Sequence, residues 1–218
     1  LLVPRGGAGL IRAVVEGATV PVIETGTGNC HLYVDASADL EAAEAIIMNA
    51  KTQRVGVCNA AETLLVHADV AARFLVAAIT RLTTAGVTIH ADGATRAIVD
   101  DQPAIDVDMI VDATEADWST EYLSLDLAVR VVGSVEEATE HIRRYSTGHT
   151  EGIVASDVAA IRAFRAGVDA VAGFLEGLTD GTVVVVDVVE ESDMRVVALA
   201  LGVAALSVAL RTLRSVTR

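Results

Sequence analysis

Short apolar runs alternate with helix-period stretches along most of the chain, and this alternation limits the possible folds more than any other feature. Runs rich in Val, Ile and Leu, such as 127–132, favour buried strands. Between such runs, stretches such as 39–54 place apolar side chains three and four residues apart, which is the spacing of one helix face. Strands that alternate with helices in this way are typical of βαβ units and a mostly parallel sheet. We therefore predict an α/β fold.

The boundaries follow from where each periodicity starts and stops. The predicted helices are 10–16, 39–54, 69–83, 135–145 and 158–166, and Ser37 is expected to cap the second of them. The predicted strands are 1–4, 20–23, 31–34, 63–66, 87–90, 127–132, 152–155 and 182–189. From 91 to 118 the alternation weakens, and we expect loops with short strands at 96–99 and 109–111.

Composition narrows the class of partner. Hydrophobic residues make up 52% of the 218-residue chain and aromatic residues only 3%, so the core must consist of Val, Ala, Leu and Ile. A formal net charge of −14 repels phosphate backbones and argues against nucleic-acid binding.

Two cysteines do not make a disulfide framework, and the amino-terminal residues lack the pattern of a signal peptide. We expect a cytoplasmic protein, and residue 1, a Leu within a predicted strand, indicates a fragment.

The carboxyl-terminal residues differ in composition from the rest. From 195 to 218 there are four arginines and no acidic residue. Residues 196–210 carry no charged side chain, but 15 residues are fewer than the roughly 17 to 25 that a membrane-spanning helix needs. We expect a buried or interface element there, with membrane association as the minority alternative.

Cys58 lies between the long helix and the buried strand at 63–66, where a thiol can face a cleft. A cysteine thiolate is a good nucleophile toward activated acyl groups and aldehydes. On spacing alone, a buried structural cysteine is the more common outcome, because free cysteines are among the most buried residues. The local pattern therefore leaves both possibilities open.

Five blocks of sequence, in this order, resemble gamma-glutamyl phosphate reductase, a family within the aldehyde dehydrogenase superfamily. The resemblance covers about residues 1–181, which also include LLVPRGGAGLIRAVVE and Thr179-Asp180-Gly181. The blocks are VPVIETGTGNCHLYVD (20–35), NAKTQR (49–54), VCNAAETLLVH (57–67), DWSTEYLSLDLAVRVV (117–132) and EEATEHIRRYSTGHTEGIV (136–154). The resemblance implies a three-layer, aldehyde-dehydrogenase-like catalytic domain with a mostly parallel sheet.

The resemblance also implies an activity and roles for individual residues. The family reduces gamma-glutamyl phosphate with NADPH, giving glutamate 5-semialdehyde, phosphate and NADP. Cys58 matches the nucleophile that forms a thioester. Glu24 matches the superfamily's general base, although in the reductive direction it would only tune the thiol, and a strand-end carboxylate without such a role is the alternative. Glu121 matches a ligand of the cofactor ribose. Gly6 and Gly7 lie where the cofactor passes and would let backbone amides approach a phosphate.

Other candidate residues favour structural roles. Cys30 and His31 are adjacent in a strand and point to opposite faces, and no nearby cluster supplies further zinc ligands, so we expect no metal site. His149 belongs to a family block, but a satisfied structural histidine is the simpler interpretation. Trp118 and Tyr122 are expected to pack in the core or at a hinge.

The chain departs from the family pattern at both ends. Residues 1–24 match only the last βαβ unit of the cofactor domain, 25–181 match the catalytic domain, and 182–218 differ from the family. The missing part would hold most of the cofactor site, so we expect weak NADPH binding. We therefore keep two alternatives: another aldehyde dehydrogenase, or a noncatalytic module that associates with itself or a partner through residues 182–218.

Overall fold

The computed structural model describes residues 1–4, 6–22, 27–168, 172–177 and 183–185. The helices in these residues are α1 (Ala8–Gly17), α2 (Leu40–Thr52), α3 (Ala68–Thr84), α4 (Gly93–Val99), α5 (Val135–Tyr145) and α6 (Val158–Gly167), with short 3₁₀ turns at Val107–Met109 and Asp117–Ser119. The strands are β1 (Cys30–Val34), β2 (Ala61–His67), β3 (Thr88–Ala91), β4 (Ile110–Asp112), β5 (Asp126–Val132), β6 (Thr150–Ala155), β7 (Ala172–Gly177) and β8 (Val183–Val185).

The strands form one sheet in the order β4-β3-β5-β2-β1-β6-β7-β8. Strands β1 to β7 pair with their neighbours in parallel, and β8 runs antiparallel to β6 and β7. An α-helix lies between successive strands from β1 to β4 and from β5 to β7, as the crossover of a parallel sheet requires, and β4 leads to β5 through a segment with a 3₁₀ turn. The predicted α/β fold with a mostly parallel sheet is confirmed.

Helices cover both faces of the sheet. Along β1, Leu32 and Val34 pack in the larger core cluster and Tyr33 packs in the smaller one, since successive strand side chains point to opposite faces. The larger cluster includes apolar residues of α2, α3 and α4, and the smaller one includes residues of α5 and α6. The result is the expected three-layer arrangement.

The predicted strand at 96–99 is wrong, because these residues belong to α4. Asp92 caps this helix by accepting a hydrogen bond from Thr95 N at 2.8 Å. Thr95 and Val99, spaced four residues apart, are both fully buried. Val99 therefore lies on the buried face of a helix, and the Asp-Gly pair at 92–93 marks the start of that helix.

The predicted cap of α2 is also wrong. Asp39, not Ser37, accepts from the helix amide of Ala42 at 2.9 Å. Ser37 Oγ instead accepts from the amides of Ser156 and Asp157, at 3.1 and 2.9 Å. Ser37 is thus used to join the end of β1 to the start of α6, a long-range contact that local sequence cannot reveal.

The amino-terminal residues form a small parallel unit. Leu2 and Val22 pair in a parallel bridge, with α1 between them, and Leu2 N donates to Pro21 O at 2.9 Å. Of the strands predicted at 1–4 and 20–23, the described residues show this bridge. Of the strand predicted at 182–189 the structure describes β8, and the apolar run 196–210 lies outside the described residues. None of the described helices is long and apolar enough to cross a membrane.

Candidate active site

Four loops meet at the amino-terminal ends of the four central parallel strands. In sheet order these strands are β5, β2, β1 and β6. Ligands in open α/β sheets usually bind at the opposite, carboxyl-terminal ends of the strands, so this cluster is not at the customary edge. The loops lead into those strands in the same order and comprise residues 113–125, 53–60, 27–29 and 146–149.

Cys58 lies at the exposed surface of the loop 53–60. The loop turns twice, with Val57 N donating to Arg54 O at 3.4 Å and Ala60 N donating to Val57 O at 3.1 Å. The alternative of a buried structural cysteine is therefore wrong for Cys58. Cys58 is open to solvent.

Gly28 connects Cys58 to Glu121. Its amide donates to Glu121 Oε1 at 2.7 Å. A Cβ built on Gly28 would lie 1.6 Å from the carbonyl oxygen of Cys58, so a residue with a side chain cannot occupy this position without moving the loop. The Glu121 carboxylate, predicted from sequence as a cofactor ligand, is thereby held close to Cys58.

Cys30 contacts the same loop through its thiol. It is 3% exposed, and its Sγ donates to the carbonyl oxygen of Cys58 at 3.2 Å. Burial, and then the negative charge of Glu151, raise the pKa of the Cys30 thiol well above its ordinary value. Cys30 therefore stays protonated and acts as a donor.

Asn29 ties together the loops that precede β1, β5 and β6. Its side-chain amide donates to the carbonyl oxygens of Trp118 and Tyr145, each at 2.8 Å. Its backbone amide donates to Thr147 Oγ1 at 3.1 Å, and that hydroxyl donates to Thr27 O. Trp118 is buried, in keeping with a packing role.

The histidines near this edge have structural contacts. His149 is half-buried, with Nδ1 2.8 Å from Thr150 Oγ1 and 4.0 Å from Cys30 Sγ. Burial lowers its pKa. His31 Nδ1 lies 3.1 Å from Glu151 Oε2. Among the residues that the structure describes, no group of His, Cys, Asp and Glu is arranged to hold a metal ion.

Sequence reasoning missed a buried ion pair between the two elements that flank the Cys58 loop. Lys51 Nζ lies 2.6 Å from Glu62 Oε2, and both side chains are completely buried. A signal was present in the sequence, because Glu62 stands in the apolar strand AETLLVH, and a buried carboxylate requires a partner. Identifying Lys51 as that partner required the fold.

Gly6 and Gly7 lie at the start of α1. Gly6, at a φ of 153°, precedes Gly7, which is the amino-terminal cap of α1. Both glycines are exposed, and a Cβ built on Gly7 would meet no atom within 4 Å. Glu24 lies outside the described residues. The structure thus brings together Cys58 and Glu121 from the predicted set.

Comparison with known proteins shows which proteins the chain is similar to. No protein-family model matches the chain. The chain is 58% identical over 179 residues to gamma-glutamyl phosphate reductase of Moorella thermoacetica, which covers 82% of this chain and 41% of that protein. The crystal structure of gamma-glutamyl phosphate reductase from Thermotoga maritima matches 78% of this chain and 39% of its own, at 50% identity and a TM-score of 0.73.

A more distant structure is similar in fold alone. The acetylating aldehyde dehydrogenase from Geobacillus thermoglucosidasius is 23% identical, with a TM-score of 0.56 over 77% of this chain and 44% of its own. The chain spans about two fifths of the length of the curated relatives it matches. It is therefore a homologue of gamma-glutamyl phosphate reductase, with an aldehyde-dehydrogenase-like fold and a sequence that corresponds to part of that enzyme.

Proposed function

We propose that the chain carries the nucleophile for the NADPH-dependent reduction of gamma-glutamyl phosphate to glutamate 5-semialdehyde and phosphate, a step of proline biosynthesis. The observation that supports this most directly is the exposed thiol of Cys58 on a loop held next to the Glu121 carboxylate. The identity of 58% to a gamma-glutamyl phosphate reductase supports the choice of substrate.

In this proposal the Cys58 thiolate attacks the acyl carbon of the substrate. The bond between that carbon and the phosphate oxygen breaks, phosphate leaves with the electron pair, and a thioester remains on Cys58. After reduction of the thioester, the carbon–sulfur bond breaks and the thiolate is regenerated. Covalent capture divides a difficult reduction into easier steps, and backbone amides near Cys58 are suitable donors to each oxyanion.

The residues of the chain fit a nicotinamide cofactor in part. NADPH, when bound, would supply the hydride. Glu121 would accept from a ribose hydroxyl, because a carboxylate has room for several donors in addition to Gly28 N. Gly6 and Gly7 at the start of α1 would approach a phosphate. For Glu24 we retain the role of tuning the thiol.

We also propose a division of the chain. Residues 1–24 would be the last βαβ unit of a cofactor domain, which is supported by the parallel pairing of Leu2 with Val22 around α1. Residues 25–181 would be the catalytic domain, and 182–218 a diverged segment. We place the reaction in the cytoplasm and expect a small-molecule substrate. The proposed division of the chain is compatible with a homo-oligomer.

The test is turnover of glutamate 5-semialdehyde with NADP and phosphate, followed by the absorbance of NADPH. We expect activity from the chain and a loss of at least about a hundredfold in Cys58→Ser, because the hydroxyl is a far weaker nucleophile. Arg81→Gln is the control, since it removes an ion pair between α3 and Glu44 of α2 and should not change the rate.

Equal turnover by the chain and Cys58→Ser would remove Cys58 from the mechanism. Oxidation of simple aldehydes without phosphate would favour another aldehyde dehydrogenase. No turnover, together with an oligomer on size exclusion that disappears when residues 182–218 are deleted, would favour a noncatalytic interaction module.

A further inference from the structure

We propose that Lys51 and Glu62 are positioning residues that fix the loop carrying Cys58 against the segment carrying Glu121. Neither side chain is exposed to solvent, so neither would touch the substrate. The inference rests on the proposed function only where it concerns catalysis. The claim that the pair fixes these two segments against each other can be tested in the chain without any substrate.

The ion pair closes the base of the Cys58 loop. Lys51 lies in the last turn of α2 and Glu62 is the second residue of β2, and the loop 53–60 connects these two elements. The distance of 2.6 Å between Nζ and Oε2 is that of a strong, charge-assisted hydrogen bond. The two ends of the loop that carries Cys58 are therefore tied together.

The same pair reaches the Glu121 segment. Glu62 Oε1 accepts from the backbone amide of Leu123 at 3.4 Å, and Lys51 Nζ lies 5.8 Å from the centre of the Tyr122 ring. Leu123 has a φ of 56°, a left-handed conformation that a branched residue adopts only when its surroundings hold it there. The contact with Glu62 is one such restraint, two residues from Glu121.

Stability alone does not account for this pair. Burial lowers the pKa of Lys51 and raises the pKa of Glu62, and each group opposes the shift of the other. Replacing a buried ion pair by apolar residues of similar volume is often neutral or stabilising, whereas the polar links that it makes are then lost. An apolar pair could not form the polar contacts that Lys51 and Glu62 make with each other and with Leu123.

The test compares local and global effects of removing the pair. In Lys51→Met with Glu62→Leu, we expect a thermal midpoint close to that of the wild type. Amide hydrogen exchange should become at least about tenfold faster at residues 53–60, at Gly28 and at Leu123, while central amides of β1 and β2 keep their protection. Arg81→Gln, which removes the 2.7 Å pair between α3 and Glu44 of α2, is the control and should leave exchange at these residues unchanged.

A folded double variant with wild-type exchange in those segments would overturn the proposal. If that variant does not fold, Lys51→Met with Glu62→Gln retains an acceptor for Leu123 N and should speed exchange mainly at residues 53–60. If neither variant folds, the pair serves the fold as a whole, and the proposal is also wrong.

The catalytic part is tested in the same variants. If the wild-type chain oxidises glutamate 5-semialdehyde, the double variant should lose about tenfold or more in kcat, with KM within about threefold, because positioning acts on the reaction more than on binding. An unchanged kcat would reject a role in catalysis. If the wild type has no turnover, the proposed function fails, and hydrogen exchange still decides whether the pair fixes these two segments against each other.

Discussion

At the scale of single residues, the two cysteines have opposite environments although they belong to the same cluster. Cys58 is exposed on a loop, and Cys30 is buried on β1 with its thiol donating to the Cys58 carbonyl. Thiol reactivity requires both access and deprotonation. Burial denies Cys30 access and also raises its pKa.

We therefore predict selective alkylation. Iodoacetamide should label Cys58 at least about a hundredfold faster than Cys30 in the folded chain, and the two should become similar in denaturant. Peptide mass spectrometry at timed intervals measures both rates. Cys30→Ser should preserve rapid labelling, since a hydroxyl can still donate to Cys58 O, whereas Cys58→Ser should abolish it. Preferential labelling of Cys30 would show that the loop is not arranged as described.

At the scale of elements, the site depends on contacts between loops rather than on any one helix or strand. The turn at 27–29 lies against the loop 53–60, and Gly28 is buried between that loop and Glu121. The atom that a Gly28 side chain would meet is a backbone oxygen, which cannot rotate away as a flexible side chain can. The sequence requirement at Gly28 is therefore steric.

We predict that Gly28→Ala destabilises the chain by about 1–3 kcal/mol, the usual cost of overpacking, and alters the rate of Cys58 alkylation. Urea denaturation and timed alkylation measure the two effects. Gly56→Ala is a matched control in the facing loop, because an added Cβ there meets no atom within 4 Å, and its effect should stay within about 0.5 kcal/mol. Equal effects of the two substitutions would contradict the steric account.

At the scale of the whole molecule, a buried histidine links the sheet to its second helical layer. His141 on α5 is 4% exposed, and its ring lies 5.5 Å from His31 on β1 and 5.4 Å from Trp118. Arg130 Nη1 on β5 lies 3.1 Å from His141 Nδ1. Burial, and then the charges of His31, Arg130 and Arg144, lower the pKa of His141 to about 3.

This shift predicts loss of stability in acid. An unfolded histidine takes up a proton below about pH 6.5, whereas the folded chain takes it up at His141 only near pH 3. The contribution of His141 is therefore complete above pH 6.5 and decreases as pH falls toward 3, by up to about 1.4 kcal/mol per pH unit. Unfolding free energies of the wild type and His141→Gln, measured across this range, should converge as pH falls. Parallel curves would refute the prediction.

The sequence by itself determined the class of fold and the identity of Cys58 and Glu121 as candidates. Periodicity of apolar residues is a local property, so strands such as β5 and helices such as α5 could be placed within a few residues of their observed bounds. The ordered family blocks added which cysteine to consider. Local pattern failed at 96–99, where an Asp92 cap and a buried helix face outweighed β-branched content.

Only the tertiary structure decided how the site is held together. Its central contacts join residues far apart in the chain, such as Gly28 to Glu121 and Asn29 to Tyr145. The order of strands in the sheet places their preceding loops side by side, and that order cannot be derived from the periodicity of any segment. The Lys51–Glu62 pair could not be predicted for the same reason. A charged residue in an apolar strand indicates that a partner is needed, but the sequence does not show which residue that partner is.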